Sequence, residues 1–350
     1  MTGGFQRLMA QSFKYLPGGV RNKLAGAPVF MDGRTLDPTF QIFWNQGQAQ
    51  ALAAEGQAPT VEAMRAGIQM GTVLLANTPR PMAKTEDRTL EQDGLEVPIR
   101  IFTPKGIGSN APVLLWFHQG GFVVGGIDCT DGAATLMAEG ARCIVVSAGY
   151  RLAPEHKFPA ALDDADAAFK WLAINGAEIG IDPDKIMVGG ESAGGFLAAH
   201  VSQSANRDKS GTSKKPICQL LVYPWLIANG ETKSYETFAD AYPLGSGLMA
   251  WFGALCFKDE AASQSPEANP GKTENLEGLP RAFIHPAGFD PLTDEAEDYA
   301  KRLEAAGVKV TFKRFDNLAH SFMGMAGALP AARAAVDEIS IELRQFLAEL

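Results

Sequence analysis

The spacing of hydrophobic positions along this chain changes near residue 85. Before that point, spaced apolar residues predict helices over residues 6–24 and 39–54, and a third helix from Thr60 to about residue 75. This region shows no strand-like run. The three helices are therefore expected to cover a structure that is built from later parts of the chain.

From Arg88 onward, short apolar runs alternate with helical segments. Residues 95–102 are predicted to form the edge strand of a hairpin. The remaining predicted strands are residues 113–117, 143–146, 185–189, 220–223, 282–285 and 308–312. Continuous apolar runs such as 113–117 are expected of strands that are buried on both faces. Strands that alternate with helices predict an α/β protein with a mostly parallel sheet and helices on both faces.

Residues 226–275 interrupt this alternation between two predicted strands. The segment is rich in aromatic residues and is too long for a plain connection. We interpret it as an insertion that joins the N-terminal helices in a lid. The expected organisation is therefore residues 1–85 as N-terminal cap helices and residues 86–350 as the core, with 226–275 contributing to the cap. Trp251 and Phe252 either line a pocket there or pack in an aromatic core.

Composition restricts the function only broadly. The chain has 350 residues, of which 46% are hydrophobic and 20% charged, as in soluble globular proteins. A net charge of −9 argues against nucleic acid or an anionic membrane surface as a partner. A signal-peptide pattern and cysteine spacing for a metal are both absent, so we expect a cytoplasmic protein without a metal. Cys143 and Cys218 are expected to be buried free thiols.

The most specific chemical pattern is Gly-Glu-Ser-Ala-Gly at residues 190–194. It follows a predicted strand and precedes a helical segment. In this context a serine flanked by glycines is typical of a nucleophile on a sharp strand-to-helix turn, where larger flanking side chains would collide with the neighbouring elements. Ser192 is therefore the candidate nucleophile.

A serine nucleophile needs a base, and the base needs an acid that orients it. Both should follow later strands, in the order serine, acid, histidine. His320 follows the last predicted strand, whereas His285 lies inside an apolar run and is expected to be structural. Asp290 is the candidate acid because it comes first after its strand. Asp294 is the alternative, with helix capping as its other interpretation.

Backbone amides that stabilise an oxyanion are expected from two places. Ala193 follows the serine, and residues 118–122, with the sequence His-Gln-Gly-Gly-Phe, follow the strand at 113–117. Adjacent glycines let amide groups turn toward a ligand without a side chain intervening. His118 is expected to hold this loop rather than to act as a second base. In the next loop, Arg151 and Glu155 are expected to pair with each other, and the pair Asp163 and Asp164 to be helix-face or capping charge.

The ordered set of these segments resembles the hormone-sensitive-lipase-like esterases, the bacterial family IV branch of the α/β-hydrolases. The segments are His-Gln-Gly-Gly-Phe at 118–122, Tyr-Arg-Leu-Ala-Pro-Glu-His at 150–156, Gly-Glu-Ser-Ala-Gly-Gly at 190–195, Asp-Pro-Leu at 290–292 and His-Ser-Phe at 320–322. The resemblance spans about residue 88 to the end of the sequence. It implies an α/β-hydrolase fold with an eight-stranded, mostly parallel sheet and a helical cap.

For chemistry, the resemblance implies a triad of Ser192, Asp290 and His320 and an oxyanion hole formed by the amides of Gly120, Gly121 and Ala193. It implies hydrolysis of short- to medium-chain carboxylic esters without a cofactor, with a small-molecule ester as partner; related esterases are often homodimers. Two alternatives stay open. One is an amide-cleaving relative, such as an arylformamidase or peptidase, and the other is a small-molecule receptor on the same fold.

Three positions depart from the family pattern. Gln119 replaces the first glycine of the usual HGGG, Glu191 stands where the family usually has Asp or Thr, and Ser321 replaces the glycine of HGF. None of these departures removes a candidate catalytic group. The first and third are expected to reshape the pocket.

Overall fold

An eight-stranded sheet forms the centre of the fold in the computed structural model, which describes residues 2–53, 59–208 and 214–350. Two shorter strand pairs accompany the sheet. In chain order the strands are β1 (Phe30–Met31), β2 (Arg34–Thr35), β3 (Lys84–Gln92), β4 (Leu95–Thr103), β5 (Ala111–Phe117), β6 (Ile144–Ala148), β7 (Ile181–Glu191), β8 (Cys218–Val222), β9 (Arg281–His285), β10 (Ala287–Phe289), β11 (Val310–Phe312) and β12 (Phe315–Ala319).

The α-helices of the described residues fall before, between and after the strands. In chain order they are α1 (Thr2–Ser12), α2 (Gly18–Ala25), α3 (Pro38–Ala53), α4 (Val61–Leu75), α5 (Asp131–Ala141), α6 (Ala160–Asn175), α7 (Ala193–Arg207), α8 (Lys233–Thr237), α9 (Ser246–Cys256), α10 (Glu260–Gln264), α11 (Thr293–Ala305) and α12 (Pro330–Ala348). Among these residues no helix is long and apolar enough to cross a membrane.

The strand order in the sheet is β11-β9-β8-β7-β5-β6-β4-β3. From β6 to β11 every neighbouring pair is parallel, whereas β4 is antiparallel to both β3 and β6. The prediction of a hairpin at 95–102 is confirmed, but the prediction that this strand forms the edge is wrong. Ile99–Phe102 pair with Val145–Ala148, so β4 is an inner strand and β3 forms the edge.

Two hydrophobic cores lie on the two faces of the sheet. The alternation along β5 divides its side chains between them, because Val113, Leu115 and Phe117 enter one core while Leu114 and Trp116 enter the other. Helices α6, α7 and α11 pack on the first face, and α5, α12 and α3 on the second. Strands buried on both faces explain the continuous apolar runs in the sequence, and the buried free thiols of Cys143 and Cys218 are confirmed.

The N-terminal region differs from its prediction in two ways. The helix predicted over 6–24 is broken between α1 and α2, since Pro17 lacks the amide that a continuous helix would need. Of the helix predicted over 39–54, the last residue, Ala54, lies outside the described residues. The strands β1 and β2 form a small hairpin that the sequence interpretation missed.

This small hairpin is attached to the pair formed by β10 and β12. The guanidinium of Arg34 donates a hydrogen bond to the carbonyl of Gly288, and the amide of Asp37 donates to the carbonyl of Asn317 at 2.8 Å. Strands β10 and β12 run parallel to each other and form a pair that is separate from the main sheet. Asp290 follows β10 directly, and His320 follows β12 directly.

Candidate active site

Ser192 occupies the sharp turn between β7 and α7. Its backbone has φ 55° and ψ −118°, a conformation that L-residues rarely adopt. A Cβ atom on Gly194 would lie 2.0 Å from the carbonyl oxygen of Phe117, so only glycine fits beside the neighbouring strand. The expected reason for the flanking glycines, a collision with neighbouring elements, is therefore confirmed.

The structure brings Ser192, His320 and Asp290 together. His320 Nε2 lies 3.0 Å from Ser192 Oγ, and His320 Nδ1 lies 2.6 Å from Asp290 Oδ2. Asp290 follows β10 and His320 follows β12, so the pairing of these two strands places the carboxylate next to the imidazole. All three side chains are buried. The other carboxylate oxygen of Asp290 accepts a hydrogen bond from the amide of Leu292 at 2.9 Å, which fixes the carboxylate.

The residues weighed against these three lie elsewhere. Asp294 accepts a hydrogen bond from the amide of Ser234 at 2.8 Å and stands in the first turn of α11. It does not contact the imidazole of His320. The N-cap of α11 is Leu292, so the capping interpretation of Asp294 is wrong, although a negative charge in the first turn still favours the helix dipole. His285 is fully buried at the end of β9, with Nε2 3.1 Å from the Glu342 carboxylate on α12. The expected structural position of His285 is confirmed.

The loop after β5 presents the two candidate oxyanion glycines. Gly120 has φ 134° and Gly121 has φ 55°, both in the region that favours glycine. A Cβ atom on Gly121 would lie 2.3 Å from the ring of Phe252, which belongs to α9. Among the described residues, the amides of Gly120, Gly121 and Ala193 have no hydrogen-bond acceptor in the protein. They are therefore available to an external acceptor, and Phe252 bounds the space beside them.

His118 holds this loop from behind, as expected. Its Nδ1 lies 2.7 Å from the carbonyl oxygen of Gln119, and its ring stacks on Tyr150 with a centroid separation of 4.1 Å. The hydroxyl of Tyr150 donates to the carbonyl of His118 at 2.7 Å. Burial lowers the pKa of His118 to about 4. His118 is therefore neutral near pH 7, and its Nδ1 carries the proton that a carbonyl contact requires.

Glu191 is a buried acid directly before the nucleophile. Its carboxylate accepts a hydrogen bond from the hydroxyl of Tyr223, whose ring lies 4.8 Å from that of His320. Burial raises the pKa of Glu191 to about 7, and the hydrogen bond from Tyr223 partly opposes the rise. From the sequence, Glu191 was noted only because the family usually has Asp or Thr at this position. Its burial beside the three candidate catalytic groups makes it part of their electrostatic surroundings.

Arg65, on α4, connects the N-terminal helices to the loop after β5, residues 118–124, which we call the oxyanion loop. Its guanidinium donates to the carbonyls of Val123 at 3.0 Å and Ala153 at 3.1 Å, and it pairs with Glu155 at 2.7 Å. Sequence reasoning missed Arg65, because an arginine on a helix carries no mark of its distant partners. The predicted pair between Arg151 and Glu155 is consequently wrong.

Arg151 instead pairs with Asp164 on α6. The Arg151 amide donates to Asp164 Oδ2 at 2.7 Å and its Nε to Oδ1 at 2.9 Å, and Asp164 is 0% exposed. The interpretation of Asp164 as helix-face or capping charge is therefore wrong. A fully buried carboxylate needs a cationic partner, and Arg151 supplies it. Within the described ranges, no group of three His, Cys, Asp or Glu side chains is arranged to hold a metal ion.

Comparison with known proteins places this geometry in a family. A family model described as the alpha/beta hydrolase fold matches residues 114–324. Carboxylesterase NlhH of Mycobacterium tuberculosis is 38% identical over 86% of this chain and 92% of its own length. Esterase LipI of the same organism is 41% identical over 80% of this chain and 89% of its own length. The solved structure of a hyperthermophilic esterase from the archaeon Pyrobaculum calidifontis is 34% identical, with a TM-score of 0.81 over 89% of this chain and 99% of that one.

The chain belongs to the α/β-hydrolase family, and within it to the hormone-sensitive-lipase-like branch. The predicted fold class and family are confirmed. The prediction that the chain is a carboxylic ester hydrolase is confirmed as well. The roles of individual site residues stay predictions.

Proposed function

We propose that this chain is a serine carboxylesterase that hydrolyses short- to medium-chain carboxylic esters through an acyl-enzyme. The observation that carries the proposal is the pair of contacts made by His320, which lies between Ser192 Oγ at 3.0 Å and Asp290 Oδ2 at 2.6 Å. A carboxylate only accepts hydrogen bonds, so the imidazole donates through Nδ1. Its Nε2 is then free to accept the serine proton.

The reaction follows from this arrangement in two transfers. Ser192 Oγ attacks the ester carbonyl carbon while His320 Nε2 takes the hydroxyl proton. The tetrahedral intermediate collapses, the bond to the alcohol breaks, and His320 returns the proton to the departing alcohol. Water then attacks the acyl-serine with His320 again as base, which releases the carboxylic acid and restores Ser192. Asp290 keeps the imidazole in the required tautomer and stabilises its charged form.

The amides of Gly120, Gly121 and Ala193 are proposed to bind the negative oxygen of both tetrahedral intermediates. The support is that these three amides lack a protein acceptor within the described part of the chain, and that two of them belong to glycines. Losing one such donor typically costs about 3 kcal/mol of transition-state stabilisation. This loop is therefore expected to tolerate little distortion.

Substrate size is proposed to depend on the cap, formed by residues 1–85 together with 226–275. The support is the position of Phe252, which comes from the insertion and packs over Gly121. An aromatic ring this close to the oxyanion loop limits the room beside the reacting carbonyl. A preference for short acyl chains over long ones follows.

The test is a series of p-nitrophenyl esters of increasing acyl length, with the matching anilides. Ser192→Ala should lower kcat by roughly 10⁴- to 10⁶-fold, because it removes the nucleophile. Ser202→Ala is the matched control, since Ser202 lies on the same helix and bonds only the carbonyl of Ala198. Ser192→Ala with unimpaired esterase activity would end the proposal. Anilides cleaved as fast as esters would favour the amide-cleaving alternative.

A further inference from the structure

Two of the three departures from the family pattern contact each other. Ser321 Oγ donates a hydrogen bond to Gln119 Oε1 at 2.6 Å, across 202 positions of sequence. Both side chains are half-buried. Gln119 precedes the two candidate oxyanion glycines, and Ser321 follows the candidate base. In a chain with glycine at both positions this contact could not form.

Ser321 occupies a backbone conformation better suited to glycine. Its φ is 62° and its ψ is 19°, in the left-handed region. The glycine usual in the family would adopt this conformation without strain, so what serine adds here is its hydroxyl group. That hydroxyl is used in the bond to Gln119. The strained residue is therefore one whose side chain reaches the opposite loop.

Gln119 is fixed at its backbone as well as at its side chain. Its carbonyl oxygen accepts a hydrogen bond from His118 Nδ1 at 2.7 Å. Its Nε2 lies near Gly324, 3.4 Å from the place where a Cβ atom on that glycine would stand. Gly324 belongs to the 3-10 turn at 322–325, directly after Ser321. The glutamine side chain thus spans from the oxyanion loop to the segment that carries the base.

We propose that Gln119 and Ser321 are a pair of positioning residues that sets the distance between the oxyanion amides and the base. The inference rests on the proposed function, because its consequence is kinetic. Proton transfer by His320 and stabilisation of the oxyanion by Gly120 and Gly121 must occur in the same transition state. Displacement of one group by about 1 Å can cost about 100-fold in rate. A side-chain bridge between the two loops limits such displacement.

The test is a double-mutant cycle of Gln119→Gly, Ser321→Gly and the double variant, with kcat and KM measured on a short-chain p-nitrophenyl ester. Active sites are counted by covalent labelling with a fluorophosphonate, so that kcat refers to competent enzyme only. Each single variant should lower kcat about 10-fold with KM changed by less than about 2-fold, because each leaves the partner without its bond. The double variant should match a single one, not the 100-fold loss expected of independent sites.

Thermal unfolding separates positioning from a purely structural role. Ser321→Gly should not lower the melting temperature, since glycine relieves the left-handed strain. A loss of kcat at unchanged melting temperature therefore supports the bridge. If Gln119→Gly fails to fold, Gln119→Met keeps the side-chain length without the acceptor and should show the same kcat loss.

Three results overturn the inference. They are independent, multiplicative losses in the double variant, an unchanged kcat per labelled site in Ser321→Gly, and losses confined to KM. Failure of the proposed function looks different, because the wild-type chain would then neither hydrolyse esters nor label at Ser192. That outcome removes both proposals, whereas an active wild type with a multiplicative cycle removes only the bridge.

Discussion

Replacing Glu191 by glutamine tests the buried acid that precedes Ser192. Burial raises the pKa of this carboxyl from its usual 4.5 to about 7. Because the folded-state pKa lies above the unfolded value, the folded chain holds a proton that the unfolded chain releases between these pH values. Protonation of Glu191 therefore stabilises the fold fully below pH 4.5, and this contribution is lost as the pH rises through about 7.

The size of the effect follows from the shift. The difference between 4.5 and about 7 corresponds to about 3 kcal/mol, since each pH unit is worth about 1.36 kcal/mol. Most of this change falls between pH 5 and pH 8. Glutamine stays neutral over the whole range, and its side-chain oxygen can still accept the Tyr223 hydroxyl. Relative to Glu191→Gln, the wild-type chain should thus lose about 2–3 kcal/mol of unfolding free energy from pH 5 to pH 8.

The assay is urea unfolding of the wild type and Glu191→Gln at several pH values, so that other titrations cancel in the difference. Glu155→Gln is the control. Arg65 holds the pKa of exposed Glu155 down at about 2, so that carboxylate stays charged between pH 5 and pH 8. Its difference from wild type should be constant. A constant difference for Glu191→Gln would refute the reasoning, because it would mean that the buried carboxyl does not take up a proton on folding.

Three further predictions concern the loops around the site. Arg65→Met removes the guanidinium that bonds the carbonyls of Val123 and Ala153, so kcat should fall about 10-fold and amide exchange over residues 120–126 should quicken. Unchanged exchange would contradict this. Gly121→Ala would place a methyl group against the ring of Phe252 and would strain the backbone, because residue 121 has a φ of 55°; kcat/KM should therefore fall about 100-fold. Adding Phe252→Ala relieves only the clash and should restore kcat/KM only in part. Asp164→Ala leaves Arg151 without its carboxylate, so the free energy of unfolding in urea should fall by about 3 kcal/mol while kcat of the folded enzyme stays unchanged. A fall in kcat as well would show that the pair acts on the site.

The main sheet could be predicted from sequence because its strands are buried on both faces. The apolar runs at 113–117 and 282–285 coincide with the inner strands β5 and β9 to within two residues. Strands β1, β2 and β10 were missed because two or three residues do not establish a period, and β12 was missed because the polar residues Asp316 and Asn317 interrupt its apolar run. One signal for the first pair was present, since Asp32 and Gly33 both have positive φ and Asp-Gly is typical of a two-residue hairpin turn.

Ser192, Asp290 and His320 could be selected as candidates because each was expected to follow a strand, and parallel strands end at one edge of a sheet. Asp290 and His320 in fact follow the short strands β10 and β12, which come after the predicted strands 282–285 and 308–312. The contacts that hold these residues in place could not be inferred from the sequence. The partners of Arg65, Arg151 and Gln119 are set by how distant segments pack, and sequence separation carries no mark of that packing. The error over Arg151 has a specific cause. A spacing of four residues favours an ion pair only on a helix, and residues 151–155 are not helical.

The attachment of the small N-terminal hairpin to β10 and β12 affects the order in which the site can form. The amide of Asp37 donates to the carbonyl of Asn317, and Arg34 donates to that of Gly288, so residues 34–37 hold the two strands that precede Asp290 and His320. A ribosome delivers residues 30–37 long before it delivers residues 287–320. During synthesis Ser192 therefore emerges well before Asp290 and His320. The bonds that hold β10 and β12 to the N-terminal hairpin therefore form only when these two distant parts of the sequence have met.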